Sequence, residues 1–170
     1  MTPPRMPSPD PREVAQRLIQ RLGLLRHPEG GWYRETWRSA IPVAHPASGA
    51  ERAACTCIHF LLEAGDFSAW HRVASDEVWL WQGGGALELH LLAPDTGEHR
   101  VVALGPDAEL QAAVPAGWLQ AARPAPGSAH ALAGCVVAPG FDFADFEMPG
   151  REELLREYPR HARVVEEMTR

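Results

Sequence analysis

The chain has 170 residues, with 22 Asp plus Glu against 16 Lys plus Arg, a formal net charge of -6 and 45% hydrophobic residues. That size and balance suit one soluble globular domain with a real core and exclude a disordered chain. Acid in excess with no basic stripe excludes nucleic acid as the main partner, and no run approaches the ~20 apolar residues that span a bilayer.

All of the positive charge is Arg, since the sequence contains no Lys. The N-terminus carries no apolar stretch after its first positive residues, so a secretory signal is not expected. Cys55, Cys57 and Cys135 are an odd number of cysteines. They read as free thiols of a reducing cytoplasm, and the Cys-x-Cys pair has no partners at metal-ligand spacing.

Residues 1–9, rich in Pro and Ser, read as a frayed tail ahead of a domain over 10–170. A helix is predicted to start at Asp10-Pro11-Arg12-Glu13, with Asp10 as cap, Pro11 in the first turn and Glu13 closing a capping box. Val14, Leu18 and Leu22 recur at helical spacing, and Gly23 ends the run, so the helix should lie on the outside of a sheet. From Gly30 the period changes to short β-like runs at 31–38, 54–62, 76–82, 86–92, 99–104, 109–114, 118–123 and 129–137. The breaks, such as Ala93-Pro94-Asp95-Thr96-Gly97 and Pro124-Ala125-Pro126-Gly127, carry Pro and Gly, and no helix intervenes. That pattern predicts an all-β sandwich or barrel. Arg151 to Tyr158 returns to helix, followed by a second short piece opened by Pro159.

Two segments hold the groups with chemistry. Trp70-His71-Arg72-Val73-Ala74-Ser75-Asp76-Glu77-Val78-Trp79 offers an imidazole and a carboxylate, and Pro115-Ala116-Gly117-Trp118-Leu119-Gln120 offers a carboxamide. On strands of a closed β structure these can converge on one interior point. His and Glu can ligate a metal or exchange protons, whereas Gln hydrogen-bonds or serves as a weak neutral ligand. Alternation puts Glu77, Trp79 and Trp81 on one strand face, so the two indoles could wall a small-molecule cavity or simply pack a core. Within 31–38, Tyr33 and Glu35 share one face and Arg34 and Thr36 the other, and alternation alone does not choose which faces inward. Phe141, Phe143 and Phe146 are expected to pack a C-terminal arm on the barrel. His45, His90, His99, His130 and His161 are expected in loops or at exposed strand positions.

His71 with Glu77, Gly83 and Gly84, and then Pro115-x-Gly117-x-x-Gln120, resemble the two motifs of the cupin jelly roll, His-x-His with a following Glu and Gly, and Pro-x-Gly-x-x-His. Two departures stand out: Val73 occupies the second His position and Gln120 the late His position. A closer resemblance covers nearly the whole chain. His27-Pro28-Glu29-Gly30-Gly31, Arg34-Glu35-Thr36, His71-Arg72, Ser75-Asp76-Glu77-Val78-Trp79, Gln120-Ala121-Ala122-Arg123-Pro124 and Ala138-Pro139-Gly140-Phe141-Asp142-Phe143 resemble an uncharacterised cupin family, the fifth by family naming. The resemblance implies a double-stranded β-helix (cupin jelly roll) with short N- and C-terminal helices, like that of the deoxysugar-nucleotide epimerases, and a homodimer. It implies no established activity. Where that family often carries Tyr this chain has His59, and where it often carries His this chain has Trp81.

The leading functional reading is a cytoplasmic epimerase- or isomerase-type enzyme acting on a small polar or sugar-like metabolite. His71 would be the base, Glu77 would tune it and Glu35 would be a second titrating group. Gln120, Trp79, Tyr33, Arg34, His59 and Trp81 are the candidate substrate contacts, Arg34 as an anchor for an anionic group. No cofactor is expected; a divalent metal, if held, would sit on His71, Glu77 and Gln120, a poor set because catalytic sites usually have three good ligands. The alternatives are a small-ligand-binding cupin without chemistry and a degenerate metal-dependent, dioxygenase-like cupin.

Overall fold

The computed structural model describes residues 10–170, so the tail predicted over 1–9 lies outside the described residues. Helix α1 (Pro11–Leu22) is capped as predicted at both ends. The Asp10 carboxylate accepts from the Arg12 N–H, and Gly23 takes the left-handed conformation, closing on the carbonyls of Gln20 and Ile19. Glu13 reaches forward to Arg17 instead of back to the cap.

Strands β1 (Leu25–Arg26), β2 (Trp32–Arg38), β3 (Pro42–Ala44), β4 (Glu51–Ala53), β5 (Thr56–Glu63), β6 (Ser68–Val73), β7 (Asp76–Gly84), β8 (Leu87–Leu92), β9 (His99–Leu104), β10 (Gln111–Val114), β11 (Leu119–Pro124), β12 (His130–Ala138) and β13 (Phe146–Glu147) follow. One sheet runs β1-β2-β5-β12-β7-β10 and the other β13-β6-β11-β8-β9, and β3 and β4 form a separate hairpin. The pairs within both sheets are antiparallel. This is the jelly roll expected from the sequence. The β3–β4 hairpin was not foreseen, because Pro42 and the turn residues around Ser48-Gly49 mask three-residue strands.

Each sheet turns one face inward and has part of its other face covered. Phe60, Leu62, Trp79, Leu87, Leu89, Leu91, Leu104, Ala131 and Ala133, drawn from both sheets, form the interior core. Outside the first sheet, Ile19 of α1 and Leu24 cover Leu61 and Leu132. Outside the second, Leu154 of helix α2 (Arg151–Glu157), Tyr158 and Val165 of helix α3 (Ala162–Glu167) cover Trp70, Leu92, Leu119 and Ala121. Burial of these apolar faces is the main stabilising term. Among the described residues no helix is long and apolar enough to cross a membrane.

The apolar core fills only one end of the interior. Along β12 the inward residues are Ala131, Ala133, Cys135 and Val137, and the last three sit opposite Trp81, Trp79 and Glu77 of β7. Small and large apolar groups therefore plug one end, while Cys135, Val137, Trp79 and Glu77 line an opening at the other.

Candidate functional site

The opening is a cavity of about 480 Å³, a size suited to a small metabolite. Its floor is polar. His71 on β6 and Glu77 on β7, both buried, face into it. The third floor group is Glu29, buried in the turn before β2, with His27 beside it. One carboxylate oxygen of Glu29 lies 3.3 Å from Nε2 of His71 and 3.4 Å from Nδ1 of His27. Its other oxygen accepts from the Ser68 hydroxyl at 2.9 Å.

Two glycines make this placement possible. Gly30 and Gly31 have φ of 109° and 73°, and a Cβ on Gly30 would lie 2.1 Å from the Phe67 carbonyl oxygen. Only a chain without side chains there can fold the turn tightly enough to drive Glu29 inward.

Burial sets the proton balance. It raises the Glu29 pKa to about 8, against the opposing Ser68 hydrogen bond. Burial, helped by the nearby His71, lowers His27 to about 4. Burial also lowers His71, although Glu77 and the Ala69 carbonyl pull the other way. Glu77 is raised by burial, a shift that His71 opposes and Glu29 reinforces. At neutral pH the floor is therefore uncharged at Glu29 and at both imidazoles. Nδ1 of His71 lies 2.8 Å from the Ala69 carbonyl oxygen, so it carries the ring proton and leaves the Nε2 lone pair facing Glu29.

The walls and mouth are aromatic. Tyr33 packs edge-on to His27 at 4.5 Å, and Phe146 lies 5.4 Å from the His71 ring. Phe141 and Phe143 complete the mouth beside Glu35, Arg38 and Asp142. The three phenylalanines thus line the cavity, whereas the sequence suggested only an arm packed on the barrel.

Arg38 reaches the cavity through a β-bulge. Tyr33 pairs with Phe60 and Glu35 with Ile58, but the register slips at Thr36, so Trp37 pairs with Cys57 and Arg38 with Thr56. The slip turns Trp37 outward, 61% exposed, and brings Arg38 onto the inner face. There Arg38 forks onto Glu35 at 3.0 and 2.7 Å. Glu35 is therefore an ion-paired rim residue, and the Tyr33/Glu35 face is the inner one.

Four expected substrate contacts lie elsewhere. Gln120 is paired with His71 across β11 and β6 but does not line the cavity. Its carbonyl accepts from the Trp79 indole at 2.8 Å and its amide donates to Glu77 at 2.6 Å, so it braces the wall from behind. Arg34 lies on the exposed outer face of β2, since inward Tyr33 and Glu35 leave it no other side. His59, its pair partner on β5, also faces outward and contacts Gln82 at 3.0 Å. Trp81 points inward but too far along the barrel; it packs on the apolar plug and donates to the Gly85 carbonyl.

Of the histidines expected in exposed positions, His45, His90 and His130 are buried. His45 bonds Ser75, and His90 lies 3.1 Å from His99 beneath the C-terminal helices. All three cysteines are free. Cys135 is buried, and its thiol pKa is pushed well up by burial and by the Glu77 and Glu29 carboxyls.

The metal set expected from the sequence loses its third member. At the two cupin positions that would bring further imidazoles, Val73 contributes an apolar wall and Gln120 has its carbonyl oxygen committed to Trp79. Among the described residues no three His, Cys, Asp or Glu side chains are arranged to hold an ion. The set expected from the sequence, His71, Glu77 and Gln120, therefore does not assemble as ligands.

Residues 16–149 match the family described as Cupin superfamily (DUF985). An uncharacterized protein of Saccharomyces cerevisiae, YML079W, is 30% identical over 168 residues, covering 88% of this chain and 83% of that protein. A hypothetical protein from Leishmania major superposes with a TM-score of 0.86 at 35% identity, over 91% of this chain and 98% of that one. Protein SO0799 from Shewanella oneidensis superposes with a TM-score of 0.83 at 36% identity, over 92% and 97%. Oxalate decarboxylase from Bacillus subtilis, at 14% identity and a TM-score of 0.54 over 84% of this chain and 36% of that one, shares the fold alone. The chain belongs to the DUF985 family of the cupin superfamily.

Proposed function

We propose that this cupin is an epimerase- or isomerase-type enzyme that moves a proton on a small polar metabolite bound in the barrel mouth. One observation carries the reading: Glu29 and His71 meet at 3.3 Å on the cavity floor with their proton affinities displaced in opposite directions. Paired groups pushed apart in this way mark an acid and a base. With Glu29 as carboxylic acid and His71 as free imidazole, both are in the working state near neutrality.

A substrate carbonyl that reaches the pair displaces the Glu29–His71 contact and takes a hydrogen bond from Glu29, which frees Nε2 of His71 to accept the proton from the adjacent carbon. The C–H electron pair moves into the enol as Glu29 delivers its proton to oxygen. Return of the proton from the His71 imidazolium to the neighbouring carbon, as an enol O–H gives its proton back to Glu29, completes an isomerisation with no net oxidation; a proton taken from solvent on the opposite face gives the epimer instead. Glu77 steadies the imidazolium formed, Gln120 holds Glu77 and Trp79 in place, and Trp79 walls the cavity.

The test is hydrogen exchange. A panel of ketoses, aldoses and amino-substituted sugars is incubated with protein in D₂O, and loss of the carbon-bound proton is followed by NMR. The wild type should exchange one class of compound, and His71→Ala should lower the rate by ~10²–10⁴. A compound that binds wild type and His71→Ala equally and exchanges with neither would make the barrel a receptor.

The reading extends to a homodimer, with the exposed Trp37 and Ile41 at the interface. Light scattering of wild type and Trp37→Asp should show two copies and one, respectively; a monomeric wild type refutes it.

A further inference from the structure

The cavity mouth differs from its floor. Phe141, Phe143 and Phe146 stand edge to face, with centroids 5.0, 5.8 and 5.9 Å apart. The rings therefore touch one another as one aromatic cluster, and each lines the cavity. Asp142, in the same segment, and Glu35 bring carboxylates to that space.

Positive charge is scarce. Arg38 is the one Arg among the described lining residues, and its Nε and Nη2 are engaged by Glu35, with Nη2 also donating to the Phe141 carbonyl at 3.1 Å. Glu35 cancels its charge, Arg52 nearby is matched by its own partner Asp145, and Asp142, within reach of both guanidiniums, leaves the mouth net negative. The floor imidazoles add nothing at neutral pH, because burial holds them as free bases. A phosphate entering here would lose water without meeting an uncompensated cation, which is costly. An ammonium would meet aromatic rings and a carboxylate, the two partners that desolvated organic cations prefer.

We propose that the pocket takes a small organic cation, a polar metabolite that carries an ammonium group and no phosphate, with the ammonium in the cavity mouth, against the aromatic cluster of Phe141, Phe143 and Phe146 on one side and Asp142 on the other. This names the substrate class of the site described above and rests on that reading for the statement that the bound molecule reacts. It departs from the nucleotide-linked sugars of the epimerases that the fold resembles.

Three matched probes separate charge from shape: choline, its uncharged isostere 3,3-dimethylbutan-1-ol, and phosphocholine. Each is titrated into the full chain while the Trp79 indole N–H is followed by NMR. Choline should bind at least roughly tenfold more tightly than the isostere, and phosphocholine more weakly than choline. Asp142→Asn, which keeps the turn bond to the Ala144 N–H, and Phe143→Leu, at a 54% exposed position, should each erase most of that preference. Equal or tighter binding of the isostere, tighter binding of phosphocholine, or no response to any probe would overturn the assignment. The outcome is separable from the proton-transfer reading. His71→Ala should keep the choline preference, and exchange on an uncharged substrate without ammonium preference would sink this inference alone.

Discussion

Replacing Glu29 by Gln should change how stability depends on pH. Gln keeps the shape, can accept from Ser68 through its carbonyl and can donate to His71, as the protonated acid does. Only the titration is removed. Glu29 has a folded pKa of about 8 against 4.5 as reference, so between those values the folded state holds a proton that the unfolded state has lost. Its contribution to stability is therefore complete below pH 4.5 and is lost as pH rises through 8. At ~1.4 kcal/mol per pH unit, that interval sets a ceiling of ~5 kcal/mol, reduced wherever the floor relaxes or admits water. Urea unfolding followed by Trp fluorescence at pH 5 to 9 measures it. The unfolding free energy of wild type minus that of Glu29→Gln should fall by at least ~2 kcal/mol across the range and level off above pH 8. His27 and His71 titrate in the opposite sense, but both proteins carry them, so they largely cancel in the difference. A flat or rising difference would refute the buried-acid account of Glu29.

Other consequences follow from the same geometry. Gln120→Ala removes the partner of both the Trp79 indole and Glu77, and should cost ~2–4 kcal/mol in urea unfolding; a loss below ~0.5 kcal/mol would show that the wall does not need its brace. Gly30→Ala forces a Cβ against the Phe67 carbonyl at a φ of 109°, and should cost at least ~2 kcal/mol; an unchanged unfolding curve would contradict the tight turn that delivers Glu29. His90 is lowered to about 4 by burial, Arg123 and His99. It stays neutral in the fold while the unfolded chain protonates, so its contribution is full above pH 6.5 and is lost as pH falls toward 4. His90→Gln should lessen the acid-side loss by ~1–2 kcal/mol, less than the interval alone allows because solvent reaches part of the cluster; parallel curves for the two proteins would contradict it.

The fold was readable because its signals are local. Pro/Gly breaks between the strands, capping chemistry at Asp10 and Gly23, and inward alternation at Glu77 and Trp79 each act within a few positions. The site was only half readable, since two of its determinants are not periodic. The bulge at Thr36 exchanges the two faces of β2, bringing Arg38 in and turning Trp37 out, and no alternation count reveals a one-residue slip. Glu29 lies in a turn, where a carboxylate is ordinarily solvated. Its burial depends on β6, the Phe67 carbonyl and Leu61 closing over Gly30 and Gly31. The adjacent Gly-Gly pair was the available signal, because two glycines after a carboxylate mark backbone pressed against something. Gln120 does pair across from His71, but its orientation depends on the Trp79 indole, a long-range partner that spacing does not show.

The most direct measurement is the titration of Glu29 itself. In protein carrying ¹³C-labelled glutamate, the side-chain carboxyl resonance that disappears in Glu29→Gln is followed from pH 3 to 10. A midpoint near 8, with an accompanying inflection at the His71 ring, is the result this account predicts. A Glu29 carboxyl that ionises in the ordinary carboxylate range, near 4.5, would leave the floor without its acid and contradict the proposed chemistry.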